Sequence, residues 1–506
     1  MEKLTNLEEM IMKCIWDYGE EIPFLQIGKE LKERYGKEYK RTSIRTYLFR
    51  LEDKEYLKVD KRGRNAYVYP IISEKEYRKE KRGVNSKDTK ELKIIGITGS
   101  TGKTSVAVMV HEYLKALGYK SILYSSAYVD SPASYIKAKE AYEVAVASKE
   151  ALLRIIEEAE AYGAEYVVLE INESTIAKGI FQDVDFDVRA LTNLNPKHNM
   201  EQYTEKAYVE IKKSFFKDVN ESCICVIGLQ DYEKELYEEL MKLNNCEKLT
   251  FTSNYIAKAK GVDPAHITCL LNELDLTAQG LKIGIKMDQK QYPITVKEVV
   301  SYQALNLLCA MTILKALDKL DVEQFEKKMH HIEIPGRAQM YNVSGRMIVV
   351  DTRLPKMLEY LQTLKNKGMV QNIKVVVGSL GSGYKSWDNR FNQGTHFEKR
   401  HETRKYAMDL LKQYADFVYL TENDPAAESV LEICQELQGY LNQEVPSKII
   451  EDRKEAIRTA ILESQPKDVI FISGRGNRRV LCNSATTIKL VKDSEVVEEV
   501  VKELGW

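Results

Sequence analysis

The sequence predicts an α/β multidomain protein that begins with a winged helix-turn-helix domain. Three observations lead to this prediction. Short apolar strands alternate with helical segments from Leu92 onward, which is typical of a parallel sheet covered by helices. A glycine-rich turn at residues 99–105 joins the first of these strands to a helix. Residues 1–73 instead contain three helical segments followed by a hairpin pattern.

Composition limits the class of protein. The chain has 506 residues, enough for about three domains. Its 75 Lys and Arg residues balance 76 Asp and Glu residues, so only a local patch could suit a polyanion. No apolar run reaches the roughly 18 residues of a membrane span, and the eight cysteines show no metal-binding spacing. We therefore expect a cytoplasmic protein without disulfides and without a membrane partner.

The first domain is expected to carry a basic face. Apolar spacing predicts helices over residues 4–15, 22–35 and 42–54, and alternation over 57–69 predicts a hairpin. Between residues 37 and 64, ten basic side chains against five acidic ones leave a local charge of +5. Such a face suits phosphate contacts. The candidate DNA contacts are Thr42, Ser43 and Arg45 on the third helix and Arg62 and Arg64 on the hairpin.

The glycine-rich turn has the arrangement of a phosphate-binding loop. A strand over residues 92–97 precedes it, and an amphipathic helix over 106–117 is predicted to follow it. In such a connection, backbone N–H groups and the helix N-terminus face the phosphates. Lys103 would neutralise the negative charge of the β- and γ-phosphates, and the Thr104 hydroxyl would bind Mg²⁺. The predicted nucleotide contacts of the loop are Gly99, Ser100, Thr101, Gly102, Lys103, Thr104 and Ser105.

The loop Gly-Ser-Thr-Gly-Lys-Thr-Ser resembles that of the Mur ligases, since Ile97 replaces the first glycine of the longer pattern. The resemblance covers about residues 92–500 and is closest to the UDP-N-acetylmuramoyl-tripeptide synthetases. It implies a Mur ligase-type P-loop central domain over residues 92–334 and a Rossmann-like C-terminal domain over residues 335–506. Residues 1–73 are then the winged helix, and the charged stretch 74–91 is a linker.

The resemblance also implies metal-binding and catalytic residues. Glu170 resembles the family's magnesium-binding Glu, His198 its metal-binding His, and Lys212 its carbamylated lysine. With Thr104 these are the predicted metal ligands, and Lys103, His198 and Lys212 are the predicted catalytic residues. Each has an ordinary alternative when taken singly: a helix cap for Glu170, a polar loop residue for His198 and a solvated helix face for Lys212.

Further nucleotide contacts are implied at the start of the C-terminal domain. Asn306 resembles the family's adenine-contacting Asn, and Arg337 resembles the Arg of its Pro-Gly-Arg motif. Asp351 lies where the family has Asp-Tyr-Ala-His. Here Thr-Arg-Leu-Pro follows that aspartate, so the motif's His is missing.

The substrate motifs depart most from the family. Its acceptor motif Asp-Asn-Pro-Arg becomes Asn423-Asp424-Pro425-Ala426, and its Gly-Lys-Gly-His-Glu ends here in Arg478. The predicted substrate contacts are Asn423, Asp424, Pro425 and Arg478. Alanine at 426 disfavours diaminopimelate and is compatible with lysine or another amino acid, while Arg478 favours an acidic acceptor. A pocket that has lost its function is an equal alternative.

The resemblance implies an ATP- and Mg²⁺-dependent amide ligase that forms an acyl phosphate and joins it to an amino acid or amine. A peptide conjugate related to the cell wall is one candidate substrate. Residues 4–73 resemble the penicillinase-repressor (BlaI/MecI) family and stand where Mur ligases hold their uridine nucleotide. The alternative function is a winged-helix transcriptional regulator whose ligase-like part senses a nucleotide or wall precursor. A winged helix used only for protein contacts also remains open.

Overall fold

The structure, a computed structural model, describes most of the chain. The described residues are 4–19, 21–62, 65–73, 77, 92–132, 148–181, 184–195, 203–217, 219–230, 232–277, 280–296, 300–381, 396–425, 428–478, 480–482 and 488–506. They belong to two compact units, Met1–Lys90 and Glu91–Trp506. Within these ranges no helix has both the length and the apolar character needed to cross a bilayer.

The first unit contains the three predicted helices and the predicted hairpin. Its elements are α1 (Asn6–Tyr18), β1 (Ile22–Pro23), α2 (Phe24–Tyr35), α3 (Arg41–Asp53), β2 (Leu57–Arg62) and β3 (Asn65–Pro70). The strands form an antiparallel sheet in the order β1-β3-β2. Ile22, predicted to begin the second helix, lies instead in β1 opposite Val68. Pro23 explains the difference, because proline disfavours helical backbone in the residue before it.

Packing of this unit reaches beyond the hairpin. Tyr77 is 5 % exposed, and its ring lies 5.3 Å from that of Trp16 and 5.5 Å from that of Tyr56. The indole N–H of Trp16 donates to the carbonyl of Ile72 at 2.8 Å. The boundary at residue 73 stays a prediction, but the packed region includes at least Tyr77.

The second unit begins with a ten-stranded sheet in the order β13-β12-β11-β10-β9-β8-β4-β7-β5-β6. Strands β4, β5 and β7 to β11 pair in parallel, as predicted, whereas the ribbon β11–β13 and the edge strand β6 pair antiparallel. The strands are β4 (Lys93–Thr98), β5 (Ser121–Tyr124), β6 (Val129–Asp130), β7 (Tyr166–Glu170), β8 (Val188–Leu191), β9 (Ile224–Gly228), β10 (Lys248–Ser253), β11 (Cys269–Thr277), β12 (Gly280–Met287) and β13 (Lys290–Val296).

Helices cover both faces of this sheet. They are α4 (Lys103–Ala116), α5 (Lys149–Tyr162), α6 (Glu173–Ala177), α7 (Glu205–Ser214), α8 (Lys234–Lys242), α9 (Asn254–Ala259), α10 (Ala304–Ala316) and α11 (Val322–Met329). The helix after the glycine-rich turn was predicted to be amphipathic, and that prediction is wrong. Residues 104–111 of α4 are all buried because the helix packs against strands on one side and against α10 and α11 on another.

The C-terminal part of the second unit is built on a second sheet that is flanked by helices. Its six-stranded sheet has the order β14-β15-β19-β16-β17-β18, parallel except for β14, and apolar clusters cover both faces. The elements are β14 (Gln339–Val343), β15 (Arg346–Asp351), α12 (Leu354–Asn366), β16 (Asn372–Val377), α13 (His396–Tyr414), β17 (Phe417–Leu420), α14 (Val430–Leu441), β18 (Ser447–Ile449), α15 (Arg453–Leu462), β19 (Asp468–Ser473), β20 (Val480–Cys482), β21 (Ile488–Leu490) and α16 (Asp493–Glu503). This agrees with the predicted Rossmann-like domain.

Candidate active site

The glycine-rich turn lies between the end of β4 and the start of α4, as predicted. Gly99 and Gly102 have φ angles of +148° and +83°, which other residues rarely adopt. A Cβ on Gly99 would lie 2.0 Å from Thr192 Oγ1, and a Cβ on Gly102 would lie 2.3 Å from Asn306 Oδ1. Both glycines are therefore needed for the loop to fit between the end of β8 and α10.

Asn193, which follows β8, holds the loop in shape. Its carbonyl accepts from the N–H of Ser100 at 3.1 Å, and its Oδ1 accepts from the N–H of Thr101 at 3.0 Å. These two loop N–H groups are therefore occupied by Asn193, and the nucleotide contacts of Ser100 and Thr101 stay predictions. The first N–H groups of α4 have no partner within the helix and remain suited to an anion. Asn193 was not among the predicted site residues.

The Lys103 side chain folds across the loop that precedes it. Its Nζ donates to the carbonyl of Gly99 at 2.9 Å and to that of Ser100 at 3.4 Å. Hydrogen bonds to ionised acceptors are stronger than those to neutral carbonyls, so a phosphate bound to the loop would compete well for this ammonium.

The side chains of Thr104, at the start of α4, and Glu170, at the end of β7, are in contact next to the glycine-rich loop. The Thr104 hydroxyl donates to Glu170 Oε1 at 3.0 Å, and the N–H of Ser126 donates to Glu170 Oε2 at 2.7 Å. The Ser126 hydroxyl lies 2.9 Å from that of Thr104. Glu170 is 4 % exposed, and the N-cap of the nearest helix is Asn172, so the helix-cap alternative is wrong.

This donor set fits a small divalent cation. All its atoms are oxygens, which Mg²⁺ prefers, and Mg²⁺ in nucleotide sites takes only one or two carboxylates besides phosphate oxygens. Among the described residues there is no cluster of three or more His, Cys, Asp or Glu that could hold a metal without a substrate. Ser126 was not predicted, because it joins the site only through the pairing of β5 with β7.

Lys212 is fully buried on α7, so the solvated-face alternative is wrong. Its Nζ donates to Glu173 Oε2 and to Thr98 Oγ1, each at 3.1 Å. Burial and the nearby charge of Lys103 lower the pKa of Lys212 to about 7, although Glu173 opposes them. Burial alone would raise the pKa of Glu173, but the charges of Lys212 and Lys103 outweigh it and hold that pKa at about 2.

Tyr208 connects α7 to the loop. It lies one helical turn before Lys212, and its hydroxyl donates to Ser100 Oγ at 2.9 Å. Burial raises the pKa of Tyr208 above its ordinary value, so its hydroxyl stays a donor. His198 lies outside the described residues.

The three further predicted nucleotide contacts do not lie together. Asn306 is beside the glycine-rich loop, whereas Arg337 and Asp351 belong to a separate turn. Asn306 packs its amide against Gly102, beside the loop. Arg337 is half-buried, and its Nη1 donates to the carbonyl of Gly336 at 3.0 Å. The buried carboxylate of Asp351 accepts from the N–H of Ala338 at 2.7 Å, from the N–H of Arg353 at 2.6 Å and from the Tyr302 hydroxyl. It thereby fixes the turn that carries Arg337.

The predicted substrate residues gather around one buried carboxylate. Asp424 Oδ1 lies 2.9 Å from Nη1 of Arg475, and its Oδ2 lies 3.5 Å from Nη1 of Arg478. The Arg478 side chain remains 47 % exposed. Asn423 is 7 % exposed, and its Oδ1 has no hydrogen-bond partner among the described residues. The carbonyl of Pro425 packs closely against Gly381, where a Cβ would lie 1.6 Å from it.

The two clusters adjoin. Asn477, which was not predicted, donates through Nδ2 to the carbonyl of Ala127, the residue after Ser126. Gly336 packs against the backbone of residues 476 and 477, where a Cβ would lie 2.1 Å from the N of Asn477. The turn that carries Arg337 and the loop that carries Arg478 therefore border the Thr104–Glu170 cluster.

Two segments of the chain that together contain this site match known protein families. Residues 97–314 match the Mur ligase middle domain, and residues 336–476 match the glutamate ligase domain of Mur ligases. The chain belongs to the Mur ligase family. As a Mur ligase it is an ATP-dependent enzyme that joins an acid to an amino acid, as predicted from the sequence.

Individual relatives agree with this assignment. The chain is 25 % identical over 416 residues to the UDP-N-acetylmuramoyl-L-alanyl-D-glutamate–2,6-diaminopimelate ligase of Caldanaerobacter subterraneus subsp. tengcongensis, covering 82 % of this chain and 79 % of the relative. A solved structure of a ligase of that name superposes with a TM-score of 0.56 at 19 % identity, covering 85 % of this chain and 82 % of that one. MurF ligase from Thermotoga maritima in complex with ADP gives 0.55 at 17 %, covering 82 % and 81 %.

The first unit of this Mur ligase presents the predicted DNA contacts on α3. Thr42 and Arg45 are exposed, while Ile44 and Leu48 face the core. Arg62 pairs with Glu21 at 3.1 Å and with Asp60 at 2.8 Å, which offsets part of its charge. Ser43 is half-buried, and Arg64 lies outside the described residues. Residues 4–87 match the penicillinase repressor family.

Proposed function

We propose that this Mur ligase uses Mg²⁺-ATP to convert a substrate carboxylate into an acyl phosphate, which it then joins to an amine bound by the Asn423–Pro425 and Arg475–Arg478 loops. One observation carries the proposal. Thr104 and Glu170 meet at the phosphate loop, and the loop with Arg475 and Arg478 adjoins them through the contact of Asn477 with Ala127. A nucleotide site and an anion-binding cluster thus lie side by side.

The first step is phosphoryl transfer. A carboxylate oxygen of the substrate attacks the γ-phosphorus, a new P–O bond forms, and ADP leaves with the electrons of the broken bond. Lys103 and the first N–H groups of α4 hold the phosphates and offset their charge. Mg²⁺, held by Thr104 and Glu170, would supply further charge neutralisation. His198 stays a predicted ligand of that ion.

The second step forms the amide. The amine attacks the acyl carbon, inorganic phosphate leaves as the C–O bond breaks, and the amine loses a proton. The chain's contribution is to hold the two reactants together and to stabilise the developing charge. Asn306, beside Gly102, is proposed to contact the adenine, and Arg337 the nucleotide. Asp351 is proposed to position Arg337, because its carboxylate already binds three groups of the protein.

The acceptor is proposed to carry a carboxylate besides its reacting amine. The negative charge of Asp424 balances the positive charge of one of the two arginines next to it. One net positive charge therefore remains at the exposed Arg478. The buried Oδ1 of Asn423 has an unused acceptor position, which suits an ammonium group. These contacts favour an acidic amino acid, whereas lysine would bring a second cation to the cluster.

The donor is proposed to be a peptide or amino-acid conjugate with a free carboxylate. The name of the Caldanaerobacter relative describes a UDP-N-acetylmuramoyl dipeptide as substrate, and that compound is the first donor to test. The experiment measures ADP release by the full chain with Mg²⁺-ATP, each donor and single amino acids, followed by mass analysis. Donor- and acceptor-dependent ADP release with a condensed product supports the proposal. ATP binding without turnover for every pair contradicts it.

A second function is proposed for the first unit, namely DNA binding. Exposed Thr42 and Arg45 on α3 favour it, with Ser43 and the hairpin residues Arg62 and Arg64 as further candidates. Fluorescence anisotropy with a random duplex should show affinity that falls with salt. Arg45→Ala should reduce the salt slope by about one, whereas Lys32→Ala, which removes an exposed lysine of α2, should not. Salt-independent binding or no binding would favour a protein-contact role.

A further inference from the structure

One face of α3 presents apolar groups to solvent beside basic ones. The exposed residues on this face are Thr42, Arg45, Thr46 and Phe49. They are linked by spacings of three and four residues, which place side chains next to each other on a helix. Phe49 is 63 % exposed, more than any other large apolar side chain among the described residues of the first unit. A single exposed ring is common on protein surfaces, so the chemistry of its neighbours must identify its partner.

The charge of α3 favours a polyanion as that partner. Arg41, Arg45 and Arg50 are exposed, and none of them has an ion-pair partner among the described residues. The acidic residues of the helix, Glu52 and Asp53, come only at its end. No side chain caps its N-terminus and no acid lies in its first turn, so the helix dipole adds to the positive charge there. The phosphates of duplex DNA would offset both.

The Thr46 side chain extends the apolar surface of Phe49. Its hydroxyl donates to the carbonyl of Thr42 at 3.0 Å, four residues earlier in the same helix. The hydroxyl proton is thus occupied, and the methyl group is the part of Thr46 that suits an outside contact. This methyl group and the ring of Phe49 lie between Arg45 and Arg50 in the sequence, so α3 has an apolar strip with a cationic side chain at each end.

We propose that Phe49 and the methyl group of Thr46 read thymine in the major groove of a DNA duplex. This inference rests on the proposed DNA binding of the first unit. Thymine presents a C5-methyl group in that groove, and phenylalanine and the threonine methyl group recognise it by apolar contact. Residues 42–49 span about 10 Å of helix, or roughly three base pairs. The strip therefore specifies one or two thymines within a short site.

The first test identifies the preferred sequence. The full chain selects from a random duplex pool, and the bound duplexes are sequenced for the wild type and for Phe49→Ala. We expect a thymine in the wild-type site that is no longer enriched by Phe49→Ala, because a wrong base pair costs about fivefold or more in affinity. Tyr18→Ala, which removes an exposed ring at the end of α1, should select the wild-type site. The same site from the wild type and Phe49→Ala would overturn the assignment of Phe49.

The second test removes only the methyl group of the base. Uracil replaces each enriched thymine in turn, and affinity is measured by fluorescence anisotropy at constant salt. Uracil keeps the hydrogen-bonding groups of thymine, so a loss of affinity reports a methyl contact. We expect the wild type to lose about fourfold at one position and Phe49→Ala to lose nothing there, while Phe49→Leu keeps most of the response. Thr46→Ser keeps the hydroxyl but not the methyl group, and should lose the response at a neighbouring thymine.

The results distinguish this inference from the DNA-binding proposal. Salt-dependent binding in which the wild type binds the uracil and thymine sites equally would overturn the thymine contact and leave DNA binding in place. If the wild type binds no duplex at all, both are contradicted, and the exposed ring of Phe49 would instead belong to a protein contact.

Discussion

Arg453 and Asp493 form a fully buried ion pair in the C-terminal sheet domain. Nε and Nη2 of the arginine donate to the two carboxylate oxygens at 2.7 and 2.8 Å, and both side chains are completely shielded from solvent. The same guanidinium donates to the carbonyls of Glu422 and Ser473, which directly precede the two acceptor loops. One ion pair therefore supports both loops of the proposed acceptor site.

Removal of Arg453 should destabilise the C-terminal domain. In Arg453→Ala the carboxylate of Asp493 is left buried without its partner, which typically costs about 3–5 kcal/mol of unfolding free energy. Chemical denaturation followed by tryptophan fluorescence would measure the loss as a lower midpoint. Lys454→Ala removes an exposed pair with Glu499 and should change stability by less than about 1 kcal/mol. Equal stability of Arg453→Ala and the wild type would argue against a stabilising role for the Arg453–Asp493 ion pair.

Lys103→Ala should abolish ATP turnover. The ammonium lies against the loop that is proposed to bind the β- and γ-phosphates, and loss of one such charge-stabilising group lowers kcat by about 100-fold or more. Steady-state ADP release measures the effect. Lys115→Ala, at the other end of α4 and paired with Asp130, serves as the control and should keep its turnover. Undiminished turnover in Lys103→Ala would remove the phosphate-loop assignment.

Thr104→Val should raise the Mg²⁺ concentration needed for half-maximal turnover and lower kcat by about 10-fold or more. Valine keeps the branched shape but lacks the hydroxyl that meets Glu170. Thr104→Ser keeps that hydroxyl and should behave much like the wild type. A Mg²⁺ titration of ADP release separates the two variants, and identical Mg²⁺ curves would contradict a metal role for this hydroxyl.

Asn477→Ala should slow amide formation more than nucleotide binding. The Asn477 amide joins the acceptor loops to the carbonyl of Ala127, so its loss loosens the alignment of acceptor and acyl phosphate. We expect product formation to fall about 10-fold, with the dissociation constant of AMPPCP unchanged by calorimetry. Asn366→Ala, at the exposed end of α12, is the matched control. A loss of nucleotide affinity instead would place Asn477 in the nucleotide site.

Local sequence patterns were enough to predict the strand–loop–helix unit around Lys103, because glycine, lysine and threonine act there over a few residues. The same patterns predicted the alternating strands and the winged helix. They failed at Ile22, where proline at 23 permits strand pairing with Val68, and at α4, whose second face is buried only by distant α10 and α11.

The partners within the site were decided by the tertiary structure. Glu170 and Lys212 were predicted through a family resemblance. Asn193 and Asn477 stand within segments that carry that resemblance but were not chosen as site residues, and Ser126 and Glu173 carry no local signal. They reach the site because neighbouring strands end at one edge of the sheet and because the loop after β19 meets the residues after β5.

The sequence by itself determined the kind of chemistry, since the residue types of the phosphate loop and their order follow from the needs of a triphosphate. Only the tertiary structure decided which groups share that site. The pairing of Lys212 with Glu173 and of Asp424 with two arginines depends on distances between residues far apart in the chain. Such distances are set by sheet order and burial, which no short segment encodes.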